Sequence, residues 1–170
     1  MLHNRNMPVT ADTLRQQFDY STWASQRLLE EANKLPAEEL ARDFSTADRS
    51  VVETLAHVFA ADRVWLARVQ GTPRASFIED RDRELATLNK EWPEIQQSWK
   101  QLLAGMSDQD IQKVVEFKDL KGNPNQQPLW KIVMHLVNHG THHRGQVSGF
   151  LRAMGHTPPA IDLMVYYRTH

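Results

Sequence analysis

The stretch from Leu129 to Met154, LWKIVMHLVNHGTHHRGQVSGFLRAM, places apolar residues three and four positions apart, which is the spacing of an amphipathic helix. It also holds four of the chain's eight histidines, all within HLVNHGTHHRGQ. Gly155 follows, at the position where a helix often ends in the left-handed conformation. The sequence therefore predicts a long last helix with a cluster of histidines on and beside its buried face.

A second helix is predicted from roughly Val51 to Val69. Ser50 and Glu53 match the S-x-x-E capping box, in which each side chain satisfies a backbone N–H of the first turn. Gly71 and Pro73 indicate the end of this helix.

Two more stretches have helical spacing. One runs from about Thr10 to Asn33, and Pro36 stops it. The other ends near Leu103 and Gly105, and Pro93 inside it predicts either a late start or a kink.

Between Ile111 and Pro128 the run VVEFKDLKGNPNQQ favours a short hairpin or an extended loop. The tail HTPPAIDLMVYYRTH has enough apolar residues to pack back onto the helices. Four long helices with connections of mixed length are typical of an all-α four-helix bundle. No linker divides the chain, so we expect one domain over residues 1–170.

Composition excludes several classes of protein. Lys plus Arg (20) nearly balances Asp plus Glu (21), so the cationic excess of a nucleic-acid-binding protein is missing. No apolar run is long enough to span a bilayer, and the opening MLHNRNMPVT has no signal-peptide core, which predicts a cytoplasmic protein. The chain has no cysteine, so sulfur chemistry would need an external thiol.

Helix geometry selects two metal ligands among the clustered histidines. Residues four apart on a helix are about 6 Å and 40° apart, so two imidazoles can reach one ion. His143 falls on the apolar face of the last helix and His139 on its edge, whereas His135 and His142 point further toward water or a neighbouring helix. We therefore expect His139 and His143 to be ligands, with Gln146 one turn beyond and able to bond a ligand ring.

Two imidazoles leave a zinc site incomplete, because catalytic zinc usually has three protein ligands. His57 is the other histidine inside a predicted helix, but it points away from the apolar centre of that helix. A lone helical histidine is more often a surface or hydrogen-bonded core residue than a ligand. Four aromatic and apolar residues lie off the main stripes of their helices and are expected to pack against a second neighbour or a partner subunit: Tyr20, Trp23, Trp130 and Val137.

Familiar catalytic motifs are missing from the sequence. His139 is followed by glycine rather than glutamate, which excludes the H-E-x-x-H motif of zinc proteases. The E-x-x-H pattern of di-iron bundles, the G-x-S-x-G elbow, the P-loop and the dinucleotide fingerprint are absent too.

Three segments together resemble the DinB-like (DinB/YfiT-type, damage-inducible) family of metal-binding bundles, which is unrelated to the DNA polymerase of the same name. They are NHGTHHRGQ in the last helix, ETLAHVFAADRVWLARVQG in the second and FDYSTWASQRLL in the first. The resemblance runs through nearly the whole chain. It implies a divalent metal held by one histidine of the second helix and two of the last, which correspond here to His57, His139 and His143.

The resemblance also implies frequent homodimers. The characterised branches of the family include transferases that use small bacterial thiols, such as bacillithiol and mycothiol, and a thiol-dependent maleylpyruvate isomerase. A stress-response role belongs to the non-catalytic alternative. We expect zinc or nickel to activate an external thiol for attack on a small electrophile. The alternatives are a metal-dependent hydrolase, and a non-catalytic bundle braced by metal, in which Asp162 or His135 would close the coordination shell. Three arginines could hold a carboxylated thiol, although surface arginines are common: Arg144, Arg152 and Arg168.

Overall fold

The computed structural model describes residues 9–72 and 76–170, so Pro73 lies outside the described residues. The described chain is mostly helical and carries one two-stranded antiparallel sheet. The elements are α1 (Ala11–Ala32), α2 (Ala37–Leu40), α3 (Val51–Val69), α4 (Leu85–Ala104), β1 (Val114–Lys118), β2 (Pro124–Pro128), α5 (Leu129–Ala153) and α6 (Leu163–Thr169).

Local sequence signals account for the ends of α3. The Ser50 hydroxyl accepts a hydrogen bond from the Glu53 N–H, and Gly71 has a φ of 72° just beyond the last turn. The second hydrogen bond of the predicted capping box, from the Ser50 N–H to the Glu53 carboxylate, is wrong. The Glu53 carboxylate lies 3.6 Å from Arg83 instead, and the Ser50 N–H donates to the carbonyl of Asp48.

Pro93 neither delays α4 nor ends it, because the helix begins at Leu85 and continues through the proline. A late start, one of the two predicted outcomes, is therefore wrong. Trp92 and Trp99 are fully buried, and their indole N–H groups donate to the Asp62 carboxylate and the Asp62 carbonyl at 2.8 and 2.9 Å. Burying two indoles contributes several kcal/mol, which offsets the cost of about 3 kcal/mol that a proline inside a helix imposes through its missing N–H and its ring.

The four long helices pack around a shared apolar interior. Helix α5 lies between α1 and α3, and α4 contacts both α1 and α3 on the other side. Apolar side chains such as Leu28, Phe59, Trp92 and Leu151 fill the space between them. This arrangement confirms the predominantly helical fold and places α3 directly against the histidine-rich α5.

The predicted hairpin before the last helix is confirmed. β1 and β2 pair antiparallel, with Phe117 opposite Asn125. The Asp119 carboxylate accepts hydrogen bonds from the backbone N–H groups of Lys121 and Asn123, which holds the turn together. The Phe117 ring lies 4.8 Å from that of Trp65, so the hairpin rests on α3.

The tail packs back onto the helices, as the sequence predicts. The buried Tyr166 of α6 has its ring 5.8 Å from that of Tyr20 and 5.5 Å from that of Trp23. Val137 joins the same cluster. The second neighbour of Tyr20, Trp23 and Val137 is therefore the chain's own C-terminal segment. Trp130 packs against a different cluster, which includes Leu14 and Trp99. No helix in the described part of the chain combines the length and apolar character needed to cross a membrane.

Candidate metal centre

Three histidines predicted as ligands meet where α3 packs against α5. The ring centroids of His57 and His139 are 4.9 Å apart, those of His57 and His143 4.5 Å, and those of His139 and His143 4.4 Å. One ring nitrogen from each lies within 4.8 Å of those of the other two. The structure therefore brings His57 together with His139, which lies 82 residues later in the sequence, and with His143.

The donor set fits a divalent ion. Tetrahedral coordination with metal–nitrogen bonds of about 2.1 Å separates ligand nitrogens by about 3.4 Å. In the structure the Nε2 atoms of His57 and His139 are 2.9 Å apart, and all three donors lie within 4.8 Å. Side-chain shifts of up to about one ångström would bring the three nitrogens to this spacing.

Burial favours the neutral form of His139 and His143. Burial, with a further contribution from the neighbouring imidazoles, lowers the pKa of His139 to about 3. Burial also lowers the pKa of His143, although the hydrogen bond with Gln146 opposes this change. Metal ions bind neutral imidazole, so these two rings are in the form that a cation needs near neutral pH.

Asp48 is a residue of the candidate site that the sequence does not predict. Its two carboxylate oxygens lie 3.5 Å from His57 Nδ1 and 3.3 Å from His143 Nδ1. Because the Nδ1 atom of His57 faces this carboxylate, its Nε2 atom faces His139. Asp48 lies in the loop before α3, where no helical spacing predicts the direction of a side chain. The sequence offers one signal, which is that Asp48 is two residues before Ser50, the N-cap of α3.

Gln146 behaves as the helical geometry predicts. The Nδ1–H group of His143 donates a hydrogen bond of 2.6 Å to Gln146 Oε1. The tautomer with the proton on Nδ1 leaves the Nε2 lone pair free for a ligand bond.

No fourth His, Cys, Asp or Glu side chain joins the group within the described ranges. His135 and His142 are exposed, and the His135 ring packs against Trp65 at 5.8 Å. Asp162 instead precedes α6 at its N-cap. The group therefore has three protein donors.

Arg144, one of the three arginines considered for a carboxylated ligand, is buried, so the interpretation of it as a surface arginine is wrong. Its guanidinium donates hydrogen bonds to the hydroxyls of Ser21, Ser25 and Thr141, at 2.9, 3.1 and 3.0 Å. A Cβ atom on Gly140 would lie 2.6 Å from Arg144 Nη1. The glycine and arginine of the NHGTHHRGQ segment thus join α5 to α1.

The sequence model of the DinB family matches residues 7–170. The chain belongs to the DinB family. Among DinB-family relatives, Protein DinB of Bacillus subtilis (strain 168) is 23% identical over 155 residues, which cover 88% of this chain and 90% of that protein.

The crystal structure of a DinB-like protein from Bacillus cereus ATCC 10987 superposes with a TM-score of 0.67 and is 22% identical in sequence. The match covers 89% of this chain and 97% of that chain. The similarity shows that the two proteins share the DinB-like fold.

Proposed function

We propose that this DinB-family protein holds a divalent cation, zinc or nickel, on His57, His139 and His143, and uses it to activate a small external thiol or water for attack on a small electrophile. The observation that carries this proposal is the meeting of three imidazoles without a fourth protein donor among the described residues. A cation held this way lowers the pKa of a thiol or water beside it to near neutral values.

The chain's own part in this chemistry is to orient the ligands. Asp48 faces the Nδ1 atoms of His57 and His143, and Gln146 accepts a hydrogen bond from His143. Partners of this kind fix the tautomer and increase the basicity of the ligating nitrogen. Because the sequence has no cysteine, a sulfur nucleophile would come from a small external thiol.

The test combines elemental analysis of the purified protein with turnover of several small thiols against a panel of electrophiles. We expect a stoichiometric divalent metal and a thiol-dependent rate that a chelator abolishes. His143→Ala should lose both the metal and the activity. His156→Ala is the matched control, because His156 contacts Glu39 away from the cluster and should leave both unchanged.

Other outcomes distinguish the rival functions. Metal-dependent turnover without any thiol would identify a hydrolase. A metal-loaded protein that turns over no electrophile would support a non-catalytic function in which the ion stabilises the bundle. If the purified protein retained neither zinc nor nickel after reconstitution with these metals, the proposal would be wrong.

A further inference from the structure

A cavity of about 1050 Å³ lies between the C-terminal half of α3 and the β-hairpin. Its lining includes Val64 and Arg68 of α3, Phe117 and Leu120 of the hairpin region, and Phe77 of the connection to α4. A volume of this order accommodates a small organic molecule with room to spare. None of these residues belongs to the histidine cluster.

The cavity begins beside the histidines. The Phe77 ring lies 5.3 Å from the ring of His57, so one wall of the cavity contacts a proposed ligand. Along α3, Val64 and Arg68 lie within about 20° of the direction of His57, at axial distances of about 10 and 16 Å. A molecule in the cavity would therefore have one end toward the histidines and the other toward Arg68.

Arg68 is a half-buried cation on an aromatic surface. Its guanidinium carbon lies 4.6 Å from the ring centre of Trp65 and 5.3 Å from that of Phe117. Burial lowers the pKa of Arg68, and the charge of Asp119 opposes that change. In the part of the chain that the structure describes, no carboxylate makes a direct ion pair with Arg68.

The other charged groups around the cavity are solvated or engaged. Glu116 and Lys118 also line the cavity, at exposed positions of β1 that alternate with the half-buried Val115 and Phe117. Their opposite charges offset each other. The Asp119 carboxylate accepts hydrogen bonds within the hairpin turn, and Arg68 is thus the charge best placed to meet a ligand inside the cavity.

We propose that this cavity binds a planar apolar carboxylate, with its carboxylate group on Arg68 and its ring between Phe77 and Phe117. A guanidinium matches a carboxylate with two parallel hydrogen bonds, and aromatic rings favour edge-to-face or offset contacts with other aromatic rings. A molecule of this kind that also carries an electrophilic carbon at its end toward the histidines would be a substrate of the metal centre; this role, unlike binding itself, rests on the proposed function.

The test measures binding of 2-naphthoate and of its neutral analogue 2-naphthamide to the full-length protein by titration calorimetry. We expect the wild-type protein to bind naphthoate about tenfold more tightly than naphthamide. This is the change in affinity that loss of one charged hydrogen-bonding pair causes. Arg68→Gln should remove this preference while naphthamide still binds. Arg68→Lys should retain part of it, because the charge remains.

Arg27→Gln is the matched control, since Arg27 also lies over a tryptophan, Trp23 at 5.2 Å, but on α1. It should leave both affinities unchanged. Phe117→Leu should weaken the binding of both naphthoate and naphthamide, because it removes a contact with the aromatic ring that the two compounds share. Arg68, whose guanidinium also lies over Phe117, keeps its charge in this variant, so a preference for naphthoate should remain. Circular dichroism and the thermal midpoint of each variant establish that it is folded.

Three results would overturn the proposal: equal affinity of the wild-type protein for the two compounds, an unchanged naphthoate preference in Arg68→Gln, or loss of naphthoate binding in His143→Ala. His143→Ala separates this proposal from the proposed function. If His143→Ala binds naphthoate normally, the cavity binds the carboxylate without the metal centre, and this result does not depend on the turnover assays. If it loses naphthoate binding, the carboxylate belongs on the metal and not on Arg68.

Discussion

Asp48 contacts two of the clustered histidines, His57 and His143, through their Nδ1 atoms, and the Nε2 atom of His57 faces His139. A carboxylate in this position does not compete for the ion. It selects the tautomer that directs the Nε2 lone pair inward, and it restricts rotation of the ring.

Replacing Asp48 should therefore weaken metal binding without removing a ligand. We expect Asp48→Ala to lower the affinity for zinc by about 10- to 100-fold, and Asp48→Asn to lower it less, because the amide oxygen still accepts a hydrogen bond. Competition titration with a chromogenic chelator measures both. Asp80→Asn, which changes an exposed carboxylate paired with Arg83, serves as the control, and wild-type affinity in Asp48→Ala would refute this role.

Asp62 predicts a dependence of stability on pH. Burial raises its pKa to about 7, although the hydrogen bond from Trp92 and the charge of Arg144 oppose this change. The unfolded chain releases the proton near pH 4 and the folded chain only near pH 7. Between these values the folded state binds more protons, so this group's contribution to the free energy of unfolding falls as the pH rises.

Asp62→Asn should remove this slope, because the amide cannot ionise and its oxygen can still accept the Trp92 indole N–H. We expect the wild-type protein to lose about 2 to 4 kcal/mol relative to the variant between pH 4 and pH 7. Urea unfolding at several pH values measures the difference. Parallel curves for the two proteins would contradict the assignment.

Helix α5 approaches α1 closely where Gly140 lies beside the Arg144 side chain. A methyl group at Gly140 would meet Arg144 Nη1 at 2.6 Å, and moving the guanidinium would break its hydrogen bonds to Ser21 and Ser25. Gly149, in the same helix, has free space around its Cα.

Gly140→Ala should thus destabilise the protein by about 1 to 3 kcal/mol, which is typical of overpacking. Gly149→Ala should instead stabilise it by about 0.5 to 1 kcal/mol, because alanine favours the helix more than glycine does. Thermal unfolding of the two variants beside the wild-type protein is the measurement. Equal effects of the two substitutions would show that Arg144 relocates without cost.

At the scale of elements, the sequence predicted what depends on local periodicity. Spacing located the four long helices, and Gly71 and Gly155 marked two helix ends correctly. Helical angles also selected His139, His143 and Gln146. Pro93 was harder to place, because burial of Trp92 and Trp99 depends on partners that are remote in sequence.

The remainder of the site could not be predicted because it depends on tertiary contacts. His57 was supported by the family resemblance, since its own helix places it off the apolar centre. Asp48 and the environment of Arg68 depend on how a loop and a hairpin close over α3. These segments have no periodicity that indicates where a side chain points.

For the whole molecule, bound metal should link α3 to α5 and raise the stability of the fold. At a free zinc concentration 100 times the Kd, we expect up to about 2.7 kcal/mol of stabilisation, which corresponds to a rise of about 5 to 10 °C in the thermal midpoint. His143→Ala should lose most of this rise. His156→Ala should keep it, and an equal rise in both variants would mean that zinc binds elsewhere.

The buried arginine beside His143 also bears on how related proteins are identified. Gly140 and Arg144 serve the contact between two helices, and they do so whether or not any ion is present. A distant homologue could therefore retain that glycine and arginine after its imidazoles were replaced. Such a chain would still match the sequence motif of the family, yet it would have no group of imidazoles to hold a cation. Assigning metal binding to relatives therefore requires checking each of the three histidine positions separately.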